Sequence, residues 1–268
     1  MNDGTANYPA HLVPVGHVEP VPRRVRGQVG GRTVFDTQRA LYLWEWPAYP
    51  QYCVPVEDLT DAVLIDEERA GRLSPGPARR HSLRAGGETR RGAAWVWAEG
   101  APSAIVGTAR FQWEAIDAWY EEEEQVFVHP RNPYVRVDAV RSGRSVRVEV
   151  DGTVLADAPG AVMVFETGLP TRYYLERTYV DWTLLRPAPQ TVTECPYKGR
   201  TSGYWSYVSE SGSHDDLVWA YDFPTVAVAP IAGRVAFYNE RVDLYVDGVL
   251  QPRPEPLTRA DWDKKQRA

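Results

Sequence analysis

The chain matches itself, and this constrains its fold more than any local motif. Shifted by 121 positions, residues 25–52 fall on 146–173 without a gap. Val25, Arg26, Gly31, Asp36, Ala40, Glu45 and Tyr52 meet Val146, Arg147, Gly152, Asp157, Ala161, Glu166 and Tyr173, and Trp44 meets Phe165. A second block aligns at a shift of 126, where Ile105, Gly107, Phe111, Glu114, Asp117 and Trp119 meet Ile231, Gly233, Phe237, Glu240, Asp243 and Tyr245. The change of shift means a net difference of five residues between the blocks. Self-similarity on this scale marks a duplicated structural unit. The spacing predicts two tandem domains, 22–128 and 144–250. An extended arm at 1–21, a linker at 129–143 and a charged tail at 251–268 complete the division.

Within each copy the pattern is mainly β. Residues 145–150 alternate polar and apolar before Asp151-Gly152, a two-residue hairpin signal. Residues 161–165 form a short apolar run suited to a buried strand. Tyr204 to Val208 and Leu217 to Tyr221 flank a Ser/Gly/His/Asp-rich stretch that reads as a hairpin tip. Helical periodicity is weak; Glu114 to Tyr120 is the best candidate, yet its counterpart in the second copy reads as a strand. Two small antiparallel-sheet domains with few short helices are expected. Arg69 to Arg91, rich in Gly, Pro and Arg, reads as a solvated loop, and Glu121 to Glu124 as a solvated acidic face.

Composition narrows the function classes. With 43% hydrophobic and 12% aromatic residues, the 268-residue chain can bury a sizeable core. No apolar run reaches the length of a membrane helix, and no secretory pattern opens the chain, so a cytoplasmic location without membrane partners is expected. A net charge of −6 argues against phosphate-driven nucleic-acid binding. Two cysteines, Cys53 and Cys195, make neither a disulfide framework nor a thiolate zinc site. The five histidines are scattered singly, so neither a metal nor another cofactor is expected; Glu166, Glu240 and Asp243 form the one minority alternative for a hard cation. Lysine is scarce, and Lys198 stands alone outside the C-terminal tail, which holds Lys264 and Lys265.

Function is sought where the copies differ. The second carries Cys195-Pro196-Tyr197-Lys198-Gly199 where the first has its Arg/Gly-rich stretch. Arg172 stands opposite Gln51, and Arg241 opposite Ala115. Arg172, Lys198 and Arg241 are therefore specific to the second copy. Candidate catalytic groups are Glu166, Lys198 and Glu240: a carboxylate at a strand end for acid–base work, and a lysine able to bind an anion, polarise a carbonyl or form a Schiff base. Candidate substrate-binding residues are Arg172, Tyr173, Tyr174, Tyr197, Trp205, Tyr221, Tyr238, Arg241 and Asp243. Cys195 reads as a packing residue, because no histidine is near it in sequence.

The motifs at 165–174 (FETGLPTRYY), 195–199 (CPYKG), 230–233 (PIAG) and 236–243 (AFYNERVD) resemble the bacterial domain-of-unknown-function family numbered 427, in its tandem form with a degenerate first copy. The resemblance implies a mostly β domain with a curved antiparallel sheet. It brings a nucleotidyltransferase label that the residues do not support, for Asp215 and Asp216 are adjacent and there is no phosphate-cradling loop. Two readings stay open: an enzyme using metal-free acid–base or lysine chemistry on a small anionic carbonyl compound, or a non-catalytic module binding such a ligand. A purely structural pairing of domains is a third, and self-association is left open.

Overall fold

Two tight turns organise strands of the second copy. Asp151 and Gly152 take positive φ (51° and 77°), as do Asp247 and Gly248 (50° and 75°). A two-residue hairpin turn with both φ positive matches the twist of the strands it joins, which is why Asp-Gly recurs there. The first pair joins Val146–Val150 to Thr153–Ala158, and the second joins Asp243–Val246 to Val249–Leu250. Gly30 and Gly31 (58° and 73°) make the corresponding turn in the first copy.

The computed structural model describes Tyr8 and residues 11–209 and 212–254. Two compact units account for them: residues 12–132, and residues 133–254 with Tyr8 and His11. Each unit holds a seven-stranded and a four-stranded sheet. In the second unit the wide sheet runs Val137–Ser142, Ala161–Glu166, Arg172–Leu175, Arg234–Phe237, Gly212–Tyr221, Gly203–Ser209, Leu185–Pro187. In the first it runs Val18–Pro20, Leu41–Trp46, Tyr49–Pro55, Thr108–Phe111, Glu88–Trp97, Pro77–Ala85, Ala62–Arg72. The strand order is the same, every ladder is antiparallel, and two irregularities recur in register. A bulge at Gly27/Gln28 reappears at Val148/Glu149, and one at His81/Leu83 reappears at Trp205/Tyr207. The duplication extends to the backbone.

One face of each wide sheet packs on the four-stranded sheet. In the second unit this layer joins Val146, Val148, Leu155, Leu244 and Val246 to Leu175, Leu217, Val235 and Phe237, all at most 4% exposed. The opposite face carries its own cluster, with Val162, Val164, Tyr174, Tyr204, Trp219 and Tyr221 beneath the 3₁₀ segment Val226–Ile231. Alternation along a strand sends neighbours to opposite faces, so each strand feeds both layers. Helix is confined to short 3₁₀ turns among the described residues, and none is long and apolar enough to cross a membrane.

Several sequence expectations are corrected. The stretch 69–91 is not a solvated loop: it lies in the meander Ala62–Arg72, Pro77–Ala85 and Glu88–Trp97. Its arginines are outward strand positions, with Arg79 on Asp66, Arg80 on Glu67 and Arg90 on Asp117, while Ala78, Leu83 and Ala85 face inward. Gly212 to Asp216 is strand rather than hairpin tip. Glu121 is 2% exposed, accepting hydrogen bonds from Tyr52 Oη (2.5 Å) and Arg23 Nη1 (2.5 Å), so the acidic run is not wholly solvated. Two stretches read as connectors hold strands of the wide sheets, Val18–Pro20 and Val137–Ser142. Tyr8, on the N-terminal arm, belongs with the second unit: its hydroxyl bonds Asp138 and its carbonyl accepts from Gly168 N (2.8 Å). Residues 255–268 of the tail lie outside the described residues.

Candidate functional site

The strand Ala161–Glu166 alternates its side chains so that Val162, Val164 and Glu166 share the outer face of the wide sheet. Glu166 ends this row and is 5% exposed. A short hairpin, Glu194–Cys195 paired with Gly199–Arg200, lays the loop 195–199 over it, and Lys198, 7% exposed, forms an ion pair with Glu166. Gly199 adopts φ 95°, a left-handed conformation that lets the chain turn directly after the lysine. The loop is tied from the far side by Thr225, which donates from its backbone N to Lys198 O (3.1 Å) and from Oγ1 to Tyr197 O (2.6 Å).

Around the pair stand a thiol and two buried phenols. Lys198 Nζ is 3.8 Å from Cys195 Sγ. Tyr174 is fully buried, and burial pushes its hydroxyl up to about 12 even though the Lys198 charge opposes this; Trp219 Nε1 donates to that oxygen at 3.2 Å. Tyr221 is raised further, first by burial and then by the charges of Cys195, Tyr174, Tyr204 and Glu166. Burial alone would depress the Lys198 ammonium. The Glu166 carboxylate, with Cys195 and Tyr174 behind it, more than offsets that, and the lysine is held above its ordinary value. Lys198 is therefore an ammonium at neutral pH, not the free amine that Schiff-base chemistry starts from.

The remaining candidates separate into distinct places. Glu240 binds Arg172 through both oxygens (2.6 and 2.5 Å), and that guanidinium lies 5.7 Å from the ring centres of Trp219 and Tyr238. Burial would raise the Glu240 carboxyl, but the Arg172 fork wins and holds it below the usual range. Arg241 is exposed, donates to Asp215 O (2.7 Å), and lies over the Tyr238 ring. Asp243 pairs with Arg253 (2.7 Å). Glu166, Glu240 and Asp243 thus each hold a different cation, and the described residues contain no converging metal-ligand group. Tyr173 and Trp205 pack with the inner layer, Trp205 edge-on to Trp182, whereas Tyr174 and Tyr221 are in the outer one. Tyr197 is half-buried beside Lys198 in the loop. The structure therefore gathers Glu166, Lys198, Tyr174 and Tyr221, places Tyr197 next to Lys198 along the chain, and sets the others apart.

Sequence reasoning passed over two things. Cys195 lies against the lysine because Cys195 and Gly199 are partners in the short hairpin, a pairing with no periodic signature. The other is the counterpart pair in the first unit. There Glu45 is met by Arg110 (2.9 Å), which reaches across the intervening strand Tyr49–Pro55 from Thr108–Phe111, at the position of Ala236. Burial raises the Glu45 carboxyl, and Arg110 offsets this only in part. Cys53 and Trp97, 0% and 1% exposed, stand at the positions of Tyr174 and Tyr221 and fill that face with apolar bulk. Both units hold an ion pair here, half-buried in the first and buried in the second, and the second surrounds it with hydroxyls and a thiol.

A family model described as a domain of unknown function (DUF427) matches residues 17–122 and again 138–248. The chain belongs to this family. DUF427 thus occurs twice in tandem, and both segments coincide with the paired-sheet units. No curated protein matches the chain.

Proposed function

We propose that the second DUF427 unit acts on a small anionic, carbonyl-bearing molecule by acid–base chemistry. The Lys198 ammonium hydrogen-bonds the carbonyl oxygen and stabilises the negative charge that develops there as Glu166 takes the proton from the carbon next to the carbonyl, breaking that C–H bond to give the enolate. The observation that carries this reading is an oppositely charged pair, 5% and 7% exposed, ringed by Cys195, Tyr174 and Tyr221 and fed by a loop that the first unit lacks. Ionisable groups buried together with charge partners are characteristic of reacting centres. A lysine held as a cation favours electrostatic stabilisation over a Schiff base, so borohydride added with candidate aldehydes or ketones is expected to leave Lys198 unmodified. Both cysteines are free thiols, which fits the cytoplasmic location included in this reading.

A structural role is the competing reading, favoured by one observation: Glu45 and Arg110 also form a half-buried pair in a unit without this loop. A screen of anionic keto and aldehyde metabolites by ligand-observed NMR, followed by product analysis, decides between them. Binding and turnover lost in Glu166→Gln but kept in Glu45→Gln support the enzyme. Binding without any product leaves a binding module in its place. Binding unaffected by Glu166→Gln sinks both versions and leaves the structural role.

A further inference from the structure

A second difference between the units lies at the other end of the strand Ala161–Glu166. A surface cleft of about 240 Å³ opens there among Arg141, Ser142, Gly160, Glu176, Tyr179 and Arg234. In the first unit Arg39 stands at the position of Gly160 and is held by acids. Its Nη1 donates to Glu57 (2.5 Å), its Nη2 binds Asp58, and its backbone N donates to Thr37 Oγ1 (2.9 Å). The shift of 121 replaces Thr37, Arg39, Glu57 and Asp58 by Ala158, Gly160, Thr178 and Tyr179. That cation is gone, and so are the acids that held it. Position 160 excludes a side chain, because a Cβ there would stand 2.8 Å from the Ser142 carbonyl oxygen.

Positive charge returns to the cleft from other positions. Arg141 stands where the first unit has Pro20, and Arg234 where it has Thr108. Arg141 is exposed and pairs with no acid among the described residues. Arg234 donates to Pro230 O (2.9 Å) and meets Glu176 at 3.1 Å, but the Glu176 side chain is 57% exposed. Exposed pairs of this kind are weak and yield to a better partner.

We propose that this cleft binds an oxyanion, the phosphate or carboxylate group of a small molecule, between the guanidinium groups of Arg141 and Arg234. Ser142 and Tyr179 supply hydroxyl donors at its wall. Planar guanidinium forks match the paired oxygens of both groups, and charge-assisted bonds of this type are the strong ones. The site does not depend on the reading of Glu166 and Lys198.

The test is an amide-correlation NMR titration of the full-length protein, with inorganic phosphate in one series and succinate in another. Saturable shifts are expected at Ser142, Gly160 and Ala161. Arg141→Ala should weaken binding roughly tenfold, the loss expected for one charged hydrogen-bonding partner, and its melting temperature should not change. Arg234→Ala should weaken binding similarly. Shifts with phosphate alone define a phosphate site, and with succinate alone a carboxylate site; both support the proposal. Absence of saturable shifts with either probe, or full affinity in Arg141→Ala, overturns it.

Discussion

Lys198 is the group on which chemistry and stability pull in different directions. Removing one member of a buried ion pair strands the other, at a cost of about 3–5 kcal/mol, whereas replacing both by apolar groups is often neutral or stabilising. Lys198→Met should therefore lower the denaturant midpoint strongly, and adding Glu166→Leu should restore most of it. A double variant as unstable as the single would show that the pair is needed for packing. The pH dependences have opposite signs. Lys198 is raised on folding, so its stabilisation is complete below the ordinary lysine pKa of about 10.4 and is lost as pH rises through the folded value. Glu240 is lowered, so the Arg172 pair contributes fully above about 4.3 and is lost as pH falls through the folded value. Glu240→Gln should flatten the acid limb of the stability curve and leave the alkaline limb unchanged; an unaltered acid limb would remove Glu240 from that account.

Among the elements, the loop 195–199 sets the lysine in place, and Thr225 holds the loop. Thr225→Val keeps the side-chain volume but removes the bond to Tyr197 O, a loss of about 1 kcal/mol. Hydrogen exchange at Gly199 and Arg200 should accelerate while the inner-layer strand Arg234–Phe237 keeps its protection. Equal acceleration in both would mean global rather than local loosening. The strands also explain how much of the site was legible in the sequence. Period-two alternation and Asp-Gly turns are local signals, and the repeat lends them a second reading, so the β architecture emerges from the chain alone, and the comparison of copies singles out Lys198. Tyr173 and Tyr174 are adjacent letters, yet alternation sends one to each layer. Arg172 looks free as a substrate ligand until Glu240, far along the chain, closes on both its nitrogens. Arg/Gly-rich composition suggested a loop at 69–91 because the outward arginines mask the small inward residues of the meander.

Across the whole molecule, duplication has kept the frame and varied what lies over its outer sheet face. The offset between the units is 121 at the turns Val56–Asp58 and Arg177–Tyr179, 124 at the bulges His81/Leu83 and Trp205/Tyr207, and 126 at Thr108–Phe111 and Arg234–Phe237. The added residues thus fall in two segments, and these supply the Lys198 loop and Thr225, which binds it. Because each unit has its own core, Arg110→Ala, which strands Glu45, should destabilise the first unit alone. Calorimetry should show one transition shifted and ligand binding by the second unit preserved. A shift of both transitions would mean that the units do not unfold independently. On the proposed reading, Lys198 and Glu166 are retained for chemistry. Ligand-observed NMR with a library of anionic keto and aldehyde metabolites should therefore be run on the native protein and on the Lys198→Met/Glu166→Leu double variant. The prediction is a ligand bound by the native protein and lost by a double variant that keeps most of the native stability. A double variant that binds the same ligand with undiminished affinity would contradict it.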